Sequence, residues 1–444
     1  MSKKIIKNII GLDKYWMPFT ANKQFRSNPR ILLKAKGVYY TKSNGGKLLD
    51  ATSGLWCVNA GHGRKEISRA IKKQIELIDY SPAFQMGHEK VFRLAENLSN
   101  ILPKNINKIF FTNSGSEAVE TSLKIVHHYY ALADKKEKSI IIGRERSYHG
   151  VNYGGISVSG IQNNRNNFGP LITQIKHLPH THNLEKNSFS RGQPKWGAHL
   201  ADNLENMIKK FGPERIAAVI IEPIAGSTGV HVPPLGYLQK IRKICDKYNI
   251  LLIFDEVITG FGRTGNAFAS NAFKVNPDII VLAKGLTNGA VPMGAVGVKK
   301  EIYETINQYT KSPFAIEFPH GYTYSGNPVS SAAALATLNL YKKEKLFEKA
   351  KKISKFWEDA VHSLKGLPKI IDIRNFGLMA AIELDPIKEE PTKRAFEIYL
   401  KCFDNGLLIR TTGDTIALSP PLIINKKQIE KIIWILGKII KKSN

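Results

Sequence analysis

The chain has 444 residues, of which 43% are apolar and 23% are charged; this is typical of a globular protein with two or three domains, or one large core and a smaller lobe. Its formal net charge is +28, a balance that can indicate a nucleic-acid or anionic partner. The lysines are scattered along amphipathic helical patterns, however, and no basic stretch is interleaved with a base-stacking motif, so we expect no nucleic-acid partner.

The chain begins with "MSKKIIKNII", which is basic and then apolar. The apolar part is too short and broken for a secretory signal, and no later run approaches the roughly 18 apolar residues that span a bilayer. The three cysteines, Cys57, Cys245 and Cys402, lie far apart, without metal-ligand spacing or a disulfide framework. We therefore expect a cytoplasmic protein without a membrane partner.

The two ends of the chain differ in pattern from its middle. Residues 30–50 have the pattern of short antiparallel strands with a turn at "NGG". After about residue 330, two amphipathic helices are predicted around 330–365 and 390–405, together with short strands such as "IIDIRNFGLMAAIEL". The simplest arrangement is a large domain of residues 66–325 and a small α+β domain to which residues 1–65 and 326–444 both contribute.

In the middle of the chain, apolar runs of strand length end in polar or glycine-rich residues, and a helical pattern follows. Because these runs do not alternate with polar residues, they favour an α/β fold with a mostly parallel central sheet that is covered on both faces. Ligands bind beyond the carboxyl ends of the strands in such sheets, so we expect the polar clusters to converge on one site. The runs and their clusters are "KIFFTNSGSEA", "SIIIGRERSYHG", "IAAVIIEPIAG", "ILLIFDEV" and "DIIVLAKGLTNG".

The first cluster contains Ser114, Gly115 and Ser116 at a predicted helix start. Ser114 and Glu117 have the spacing of a capping box. Backbone N–H groups that are free at a helix start, among small residues, also suit a phosphate. Taken alone, the motif is compatible both with a plain capped helix and with a phosphate site.

The fourth cluster begins with Asp255, directly after an apolar run. A carboxylate so close to the core needs a partner, such as a metal, a basic nitrogen or a ribose. The same segment contains Gly260, Gly262 and Gly265 in the order G-x-G-x-x-G. A dinucleotide fingerprint requires such glycines directly after a strand and at the opening of a helix, so we expect no dinucleotide site here.

Lys284 ends the fifth run, and Gly285 after it would leave room for a ligand. A lysine that is partly desolvated at a strand end has a lowered pKa and can form a Schiff base, whereas an isolated lysine usually extends to solvent. A phosphate site, a strand-end aspartate and a strand-end lysine together match the needs of pyridoxal phosphate (PLP), whose aldehyde carbon bonds a lysine and whose ring nitrogen pairs with an acid. Tyr148, in "SYHG", could cover the flat ring.

A further motif, "HLPHTH", contains His177, His180 and His182. The proline between the histidines and the lack of a helical pattern favour a loop that does not align them. We therefore predict no metal site.

Characteristic motifs extend over nearly the whole chain. They include "WMPFTANKQF", "SGLWCVNAGHGRKEI", "FFTNSGSEA", "GRERSYHGVN", "IIEPIAGSTGV", "LLIFDEVITGFGRTG", "LAKGLTNGAVPMGAV" and "EFPHGYTYSGNP". Together they resemble class III (ω-amino acid) aminotransferases, which have PLP fold type I. The resemblance is greatest to the ω-amino acid–pyruvate branch, also called β-alanine–pyruvate aminotransferases.

The resemblance implies a role for each matching residue. Lys284 would hold PLP covalently, and Asp255 would pair with the ring nitrogen. The other implied positions are Ser114, Gly115 and Ser116 for the phosphate, Thr323 for the phosphate in the neighbouring subunit, Tyr148 and Val257 for the two ring faces, Glu222 near the ring oxygen beside Tyr148 and His149, Arg410 for a substrate carboxylate, and Phe19, Trp56 and Phe84 for an aromatic substrate pocket.

The implied reaction is a ping-pong transfer of an amino group from an ω-amino acid such as β-alanine to pyruvate, which gives a semialdehyde and alanine. Taurine and aromatic or aliphatic amines are alternative donors, and a PLP decarboxylase or aminomutase of the same fold would share Lys284 and Asp255. Arg410 would have to serve carboxylates at two distances from the reacting carbon, either by moving or through two binding modes. Because Thr323 would serve a neighbour, the resemblance also implies a homodimer or a dimer of dimers.

Overall fold

The computed structural model describes residues 11–310 and 312–443. The segment 1–10, for which we expect no secretory role, lies outside the described residues. The strands are β1 (Leu32–Lys36), β2 (Tyr39–Lys42), β3 (Lys47–Asp50), β4 (Ile106–Thr112), β5 (Ile140–Arg144), β6 (Ile175–Leu178), β7 (Ile216–Ile221), β8 (Leu251–Asp255), β9 (Ile279–Leu282), β10 (Gly294–Lys299), β11 (Ile370–Phe376), β12 (Met379–Leu384), β13 (Leu407–Leu408), β14 (Arg410–Thr412) and β15 (Thr415–Leu418).

The α-helices are α1 (Asn22–Ser27), α2 (Ser53–Trp56), α3 (Lys65–Leu77), α4 (Glu89–Ser99), α5 (Gly115–Leu132), α6 (Tyr153–Val158), α7 (Leu184–Asn187), α8 (Asp202–Phe211), α9 (Tyr237–Lys247), α10 (Ala269–Phe273), α11 (Lys300–Tyr309), α12 (Pro328–Lys343), α13 (Leu346–His362), α14 (Lys393–Asp404) and α15 (Lys426–Lys441). Single turns of 3₁₀-helix occur at Gln162–Asn164, Ala198–Ala201 and Lys284–Thr287. Within the described ranges, no helix is both long and apolar enough to cross a membrane.

The central sheet has seven strands in the order β4-β10-β9-β8-β7-β5-β6. Strands β6, β5, β7, β8 and β9 pair in parallel, and only β10 runs against its neighbours β9 and β4. β7 is buried along its whole length, because α8 and α9 pack on one of its faces and α5 on the other. β9 is also buried, between α5 on one face and a core cluster that includes Phe261 and Phe268 on the other. The predicted α/β fold with a mostly parallel central sheet is confirmed.

Both ends of the chain contribute to one small sheet. Strands β1, β2 and β3 form the predicted antiparallel meander, and β13 from the C-terminal part pairs in parallel with β3. A second small sheet is antiparallel, in the order β11-β12-β15-β14. The pairing of β13 with β3 supports a small domain with contributions from both ends, while the boundaries at residues 65 and 325 stay a prediction.

The helix predicted around 330–365 is wrong in one respect, because the segment forms two helices, α12 and α13. Lys345 lies between them with φ at 51° and ψ at 48°, which is the left-handed region and ends a right-handed helix. The helix predicted around 390–405 is present as α14.

Candidate active site

The polar clusters that follow five strands of the central sheet meet in one cavity, as predicted. The cavity has a volume of about 110 Å³. We call it the cofactor cavity, and it is lined by Gly115, Ser116, Tyr148, His149, Gly150, Glu222, Asp255, Val257, Ile258, Ala283 and Lys284. These residues follow β4, β5, β7, β8 and β9, so the carboxyl edge of the sheet brings together side chains up to 169 positions apart (284 − 115).

The start of α5 supplies backbone donors to this cavity. Ser114 is the N-cap, and its Oγ accepts a hydrogen bond from Glu117 N at 3.1 Å. The first helical hydrogen bond runs from Ala118 N to Ser114 O at 3.0 Å, so the N–H groups of Gly115 and Ser116 have no partner within the helix. Such groups at a helix start can hold a phosphate.

Two details differ from the predicted capping box and phosphate cup. The Glu117 carboxylate accepts its hydrogen bond from Asn113 N at 2.7 Å instead of from the N-cap residue. The Ser114 hydroxyl is used in capping and does not line the cavity. The structure thus brings Gly115 and Ser116 to the cavity wall but leaves Ser114 behind it.

Asp255 is buried at the end of β8 and is held from two sides. His149 Nδ1 donates to Asp255 Oδ2 at 2.8 Å, and Val257 N donates to Oδ1 at 3.1 Å. The His149 side chain is itself buried, and among the described residues its Nε2 has no hydrogen-bond partner. These two hydrogen bonds fix the orientation of the Asp255 carboxylate, which can pair with a cation in the cavity.

Glu222 lies buried after β7 and is bound by backbone groups. Its Oε1 accepts from Tyr148 N at 2.8 Å, and its Oε2 accepts from Gly226 N at 3.2 Å. Burial raises the pKa of Glu222 to about 7; the Asp255 charge adds to this rise, while His149 opposes it. The cavity therefore contains two carboxyl groups in different environments.

Lys284 faces this cavity with strained backbone and a destabilised charge. Its φ is +46°, a left-handed conformation that non-glycine residues seldom adopt and that is concentrated at functional sites. Burial lowers the pKa of Lys284, although the charges of Cys57 and Asp255 oppose this. The sequence predicted that Gly285 leaves room for a ligand, but the space beside it is filled by the protein. A β-carbon there would lie 2.8 Å from Asn59 Nδ2, so this glycine allows close packing of the protein itself.

A second cavity, of about 290 Å³, is lined by the candidate substrate residues Phe19 and Arg410. We call it the substrate cavity. The half-buried Arg410 has a pKa lowered by burial, and its charge lowers the pKa of Lys284 and opposes the burial-driven rise in the pKa of Tyr148. Arg410 therefore lines the substrate cavity and also acts electrostatically on two residues of the cofactor cavity.

Trp56, another candidate substrate residue, is buried at the end of α2, which departs from helical geometry at Gly54 and Leu55 and forms a strained loop there. Its φ is +64°, and that of Ser53 is +48°. Gly54 and Leu55 of this loop line the substrate cavity, whereas Trp56 does not. Buried Asp50 fixes the loop by accepting hydrogen bonds from Thr52 N at 2.9 Å and Gly54 N at 2.8 Å.

Sequence reasoning missed Arg263, which stabilises the same loop through hydrogen bonds from the protein interior. This arginine is buried completely and donates to Ser53 Oγ, Asn59 Oδ1 and Pro420 O, each at 2.6 Å. Burial lowers its pKa to about 10. The only signal in the sequence is a charged residue among the glycines of "TGFGRTG", the segment that imitates a dinucleotide fingerprint and opens no helix directly after a strand.

Two predicted site residues lie away from the cavities of their own chain: Phe84 does not line the substrate cavity, and Thr323 does not line the cofactor cavity. They are exposed and lie in neighbouring segments: Tyr80 Oη donates to Thr323 O at 3.1 Å, and a β-carbon on Gly321 would lie 2.7 Å from the Phe84 ring. The exposed ring of Tyr324 packs edge-on against Tyr80 at 5.8 Å. We call these exposed residues around Thr323 the aromatic patch.

The predicted histidine motif contributes one residue to an ionic cluster around the buried Asp372. His182, Asp372 and Glu383 have ligand atoms within 4.8 Å of one another, while His177 and His180 are not members. The Arg374 guanidinium already bridges the two carboxylates, at 2.6 Å from Asp372 and 2.5 Å from Glu383. This cation occupies the position between the carboxylates that a metal ion would need.

Comparison with known proteins places the chain in a family. The family model described as aminotransferase class-III matches residues 20–440. The chain is 53% identical to an omega-aminotransferase of Caulobacter vibrioides over 97% of both chains, and 45% identical to an omega-amino acid–pyruvate aminotransferase of Pseudomonas putida over 98% of this chain and 96% of the other.

Solved structures agree with the sequence comparison. The omega transaminase of Pseudomonas jessenii in complex with PMP superposes with a TM-score of 0.91 at 32% identity, covering 97% of this chain and 96% of that one. An (S)-enantioselective omega-transaminase from Thermomicrobium roseum gives 0.91 at 33% identity over 99% and 98% of the two chains. The fold predicted from the resemblance is confirmed, and the chain belongs to the class III aminotransferase family.

Proposed function

We propose that this protein is a PLP-dependent aminotransferase that moves the amino group of an ω-amino acid, such as β-alanine, to pyruvate. Membership of the family supports a reaction between an amino compound and a keto acid, and the names of the similar proteins support the donor and the acceptor. The observation that carries the proposal is the placement of Lys284 and Asp255 in one cavity whose wall includes the start of α5.

The residues of the cofactor cavity fit PLP. Lys284 would bond the aldehyde carbon, and Asp255 would face the pyridine nitrogen. The free N–H groups of Gly115 and Ser116 would hold the phosphate. A side chain in place of Gly115 would crowd Val257, because its β-carbon would lie 3.1 Å from Val257 Cγ2; the glycine thus keeps this backbone accessible.

Tyr148, Val257 and Glu222 complete the proposed cofactor site. Tyr148 and Val257 would cover the two ring faces, since both line the cavity. Glu222 would lie near the ring oxygen and, with a pKa of about 7, could donate or accept a hydrogen bond there. His149 would act indirectly, because its Nδ1–H orients the Asp255 carboxylate.

Lys284 is the group that moves protons. When bound, PLP supplies an electron-withdrawing ring that stabilises negative charge on the amine-bearing carbon of the substrate. A free lysine has a pKa of about 10.4 and is cationic at neutral pH; burial and the Arg410 charge lower the pKa of Lys284 and so favour the neutral amine that a base requires. Lys284 Nζ would then take the proton from the amine-bearing carbon of the donor.

Arg410 would bind the carboxylate of each substrate in turn. It is half-buried, with its pKa lowered by burial, and a guanidinium can hold a carboxylate through two parallel hydrogen bonds. A sulfonate would satisfy the same donors, so taurine belongs in any test of the donor.

The test of the proposed function is optical and uses the purified protein with PLP. The protein should become yellow, β-alanine should bleach the colour, and pyruvate should restore it with formation of alanine. Taurine, γ-aminobutyrate and an aromatic amine form the comparison panel for the donor. A protein that stays colourless after incubation with PLP would contradict the proposal, and release of carbon dioxide without alanine would indicate a decarboxylase instead.

We also propose that the protein is a homodimer in which Thr323 serves the partner's cofactor cavity. Thr323 lies outside its own cavity, in a patch where Tyr80, Phe84 and Tyr324 expose 43%, 59% and 59% of their surfaces. Exposed apolar surface of this kind is characteristic of protein interfaces.

We also propose that the protein is located in the cytoplasm. Its cysteines Cys57, Cys245 and Cys402 are unpaired, and unpaired cysteines are typical of this reducing compartment.

A mixed dimer of two variants tests whether Thr323 serves the cofactor cavity of the partner. Chains that carry Lys284→Ala are co-expressed with chains that carry Thr323→Glu, which places a negative charge near the proposed phosphate. If Thr323 serves the partner, one site of the mixed dimer is intact and activity should return to about half of the wild-type value per dimer. Activity no higher than that of the Thr323→Glu homodimer would show that Thr323 acts within its own chain or not at all.

A further inference from the structure

The substrate cavity contains a second cation that the proposed reaction does not use. Two residues of its described lining, Arg30 and Arg410, are charged, and both are arginines. Neither forms an ion pair within 4.0 Å with a described carboxylate. The residues outside the described ranges, 1–10, 311 and 444, include no Asp or Glu.

Arg30 is held in place by neutral groups. Its guanidinium carbon lies 5.1 Å from the centre of the Phe25 ring and 5.6 Å from that of the Tyr399 ring, and Nη1 donates to Asn28 O at 3.2 Å. Stacking on aromatic rings fixes the plane of a guanidinium while leaving edge donors for a ligand. Arg30 is thus a pre-positioned cation without an acidic partner.

The wall of the cavity also includes apolar surface. Leu55, Phe396, Leu408 and Ile409 contribute to it along with the two arginines. A concave site with positive charge and no internal counter-ion attracts anions, and the apolar wall suits a methylene chain. The matching ligand has two acidic groups joined by a short apolar chain.

We propose that Arg30 forms a second anion subsite and that the enzyme takes substrates with two acidic groups, one bound by Arg410 and the other by Arg30. The inferred substrate class, in addition to β-alanine and pyruvate, is amino dicarboxylic acids and the corresponding keto acids. The inference rests on the proposed function for the amine chemistry at Lys284, but the subsite itself is a binding property that can be measured without turnover.

The experiment measures binding of unreactive dicarboxylates by calorimetry to the purified protein loaded with PLP. Straight-chain dicarboxylates from four to eight carbons are compared with monocarboxylates of the same length. One chain length should bind about tenfold or more tightly as the dicarboxylate, as expected for one additional charged contact. Arg30→Gln should abolish this preference, and Arg30→Lys should retain part of it because the charge remains.

Arg26→Gln is the matched control. Arg26 is exposed in α1, four residues before Arg30, donates to Asp13 O at 3.4 Å, and does not line the cavity. The dicarboxylate preference should persist in this variant. Thermal unfolding of each variant shows whether the change has affected the fold as well as binding.

Two results would overturn the subsite. One is a wild-type protein that binds dicarboxylates and monocarboxylates of equal length alike. The other is an Arg30→Gln variant that weakens both classes by the same factor, which would mean that Arg30 only packs against Phe25 and Tyr399. A protein that selects dicarboxylates but does not turn over β-alanine would instead contradict the proposed function and leave the subsite standing.

Discussion

The cofactor cavity and the substrate cavity are built from different parts of the fold. Strand ends of one central sheet form the cofactor cavity, and residues that face it are fixed by hydrogen bonds such as that from His149 to Asp255. The substrate cavity is formed by loops and by segments from both ends of the chain, including Phe19, Gly54 and Arg410. Under the proposed function, the chemistry resides at the strand ends of the central sheet, and substrate choice resides in segments that can change without disturbing it.

If this division is correct, Lys284→Ala should have the largest effect and should act on every substrate. The variant lacks both the covalent attachment and the proton-transferring amine, so kcat should fall by at least about 10⁴-fold. Single-turnover kinetics with β-alanine and with an amine that has no acidic group measure the loss. Lys349→Ala, at an exposed position of α13, is the control. A loss of kcat with only one of the two donors would contradict the assignment of chemistry to the cofactor cavity and of substrate choice to the substrate cavity.

Asp255→Asn should give the next largest effect, again for all donors. Asparagine keeps the shape and can still accept from His149, but it removes the negative charge that would pair with the ring nitrogen. We expect kcat to fall about 10²–10³-fold, which is typical of losing one preorganised electrostatic contact. A variant with wild-type kcat would show that the pairing assigned to Asp255 does not contribute.

Arg410→Gln, in the substrate cavity, should change KM for acidic substrates but not for amines without an acidic group, whereas the two preceding variants should affect all donors. Loss of a charged hydrogen bond should raise KM for β-alanine and pyruvate about tenfold or more, whereas KM for an amine without an acidic group should change little. Steady-state kinetics with paired donors of equal length give the ratio. An equal rise in KM for both donors would mean that Arg410 supports the fold and does not bind the substrate carboxylate.

Glu222→Gln should have the smallest effect, visible in stability against pH. Burial raises the pKa of Glu222 to about 7, above the value of about 4.3 for an unfolded chain, so the folded state binds the proton more tightly. The stabilising contribution of the neutral form is complete below the unfolded pKa and is lost as pH rises through about 7. From pH 5 to 8 the wild type should lose up to roughly 3 kcal/mol relative to the variant.

Urea denaturation of the cofactor-free proteins at several pH values measures this difference. Glu185→Gln, at an exposed position of α7, should leave the wild-type pH dependence unchanged. Parallel stability curves for the wild type and Glu222→Gln would mean that Glu222 titrates at an ordinary pKa.

The convergence of the strand-end residues on one cavity could be predicted from the sequence, because it depends on local patterns. Lys284 and Asp255 each follow a buried strand, and the geometry of parallel sheets then brings strand ends together. Ser114 shows the limit of this reasoning, since a hydroxyl that caps a helix and a hydroxyl that binds phosphate have the same sequence context. Only the hydrogen bond to Glu117 N separates the two roles.

Arg263 shows why the remainder could not be predicted. Its charge is stabilised by oxygens of Ser53, Asn59 and Pro420, which lie 210, 204 and 157 positions away. Neutral oxygens from distant loops leave no charge pattern in the sequence. The exposed aromatic patch is similar, because it joins two distant segments, one with Tyr80 and Phe84 and one with Thr323 and Tyr324, that share no local pattern.

The one antiparallel strand of the central sheet has a consequence for folding. β4 pairs with β10, whose first residue, Gly294, lies 182 positions beyond Thr112 at the end of β4. The start of α5, which contributes Gly115 and Ser116 to the cofactor cavity, therefore cannot be anchored next to the sheet until β10, which ends at Lys299, has been synthesised. Such distant pairing slows folding, so the part of the cofactor cavity that α5 forms is completed late in folding.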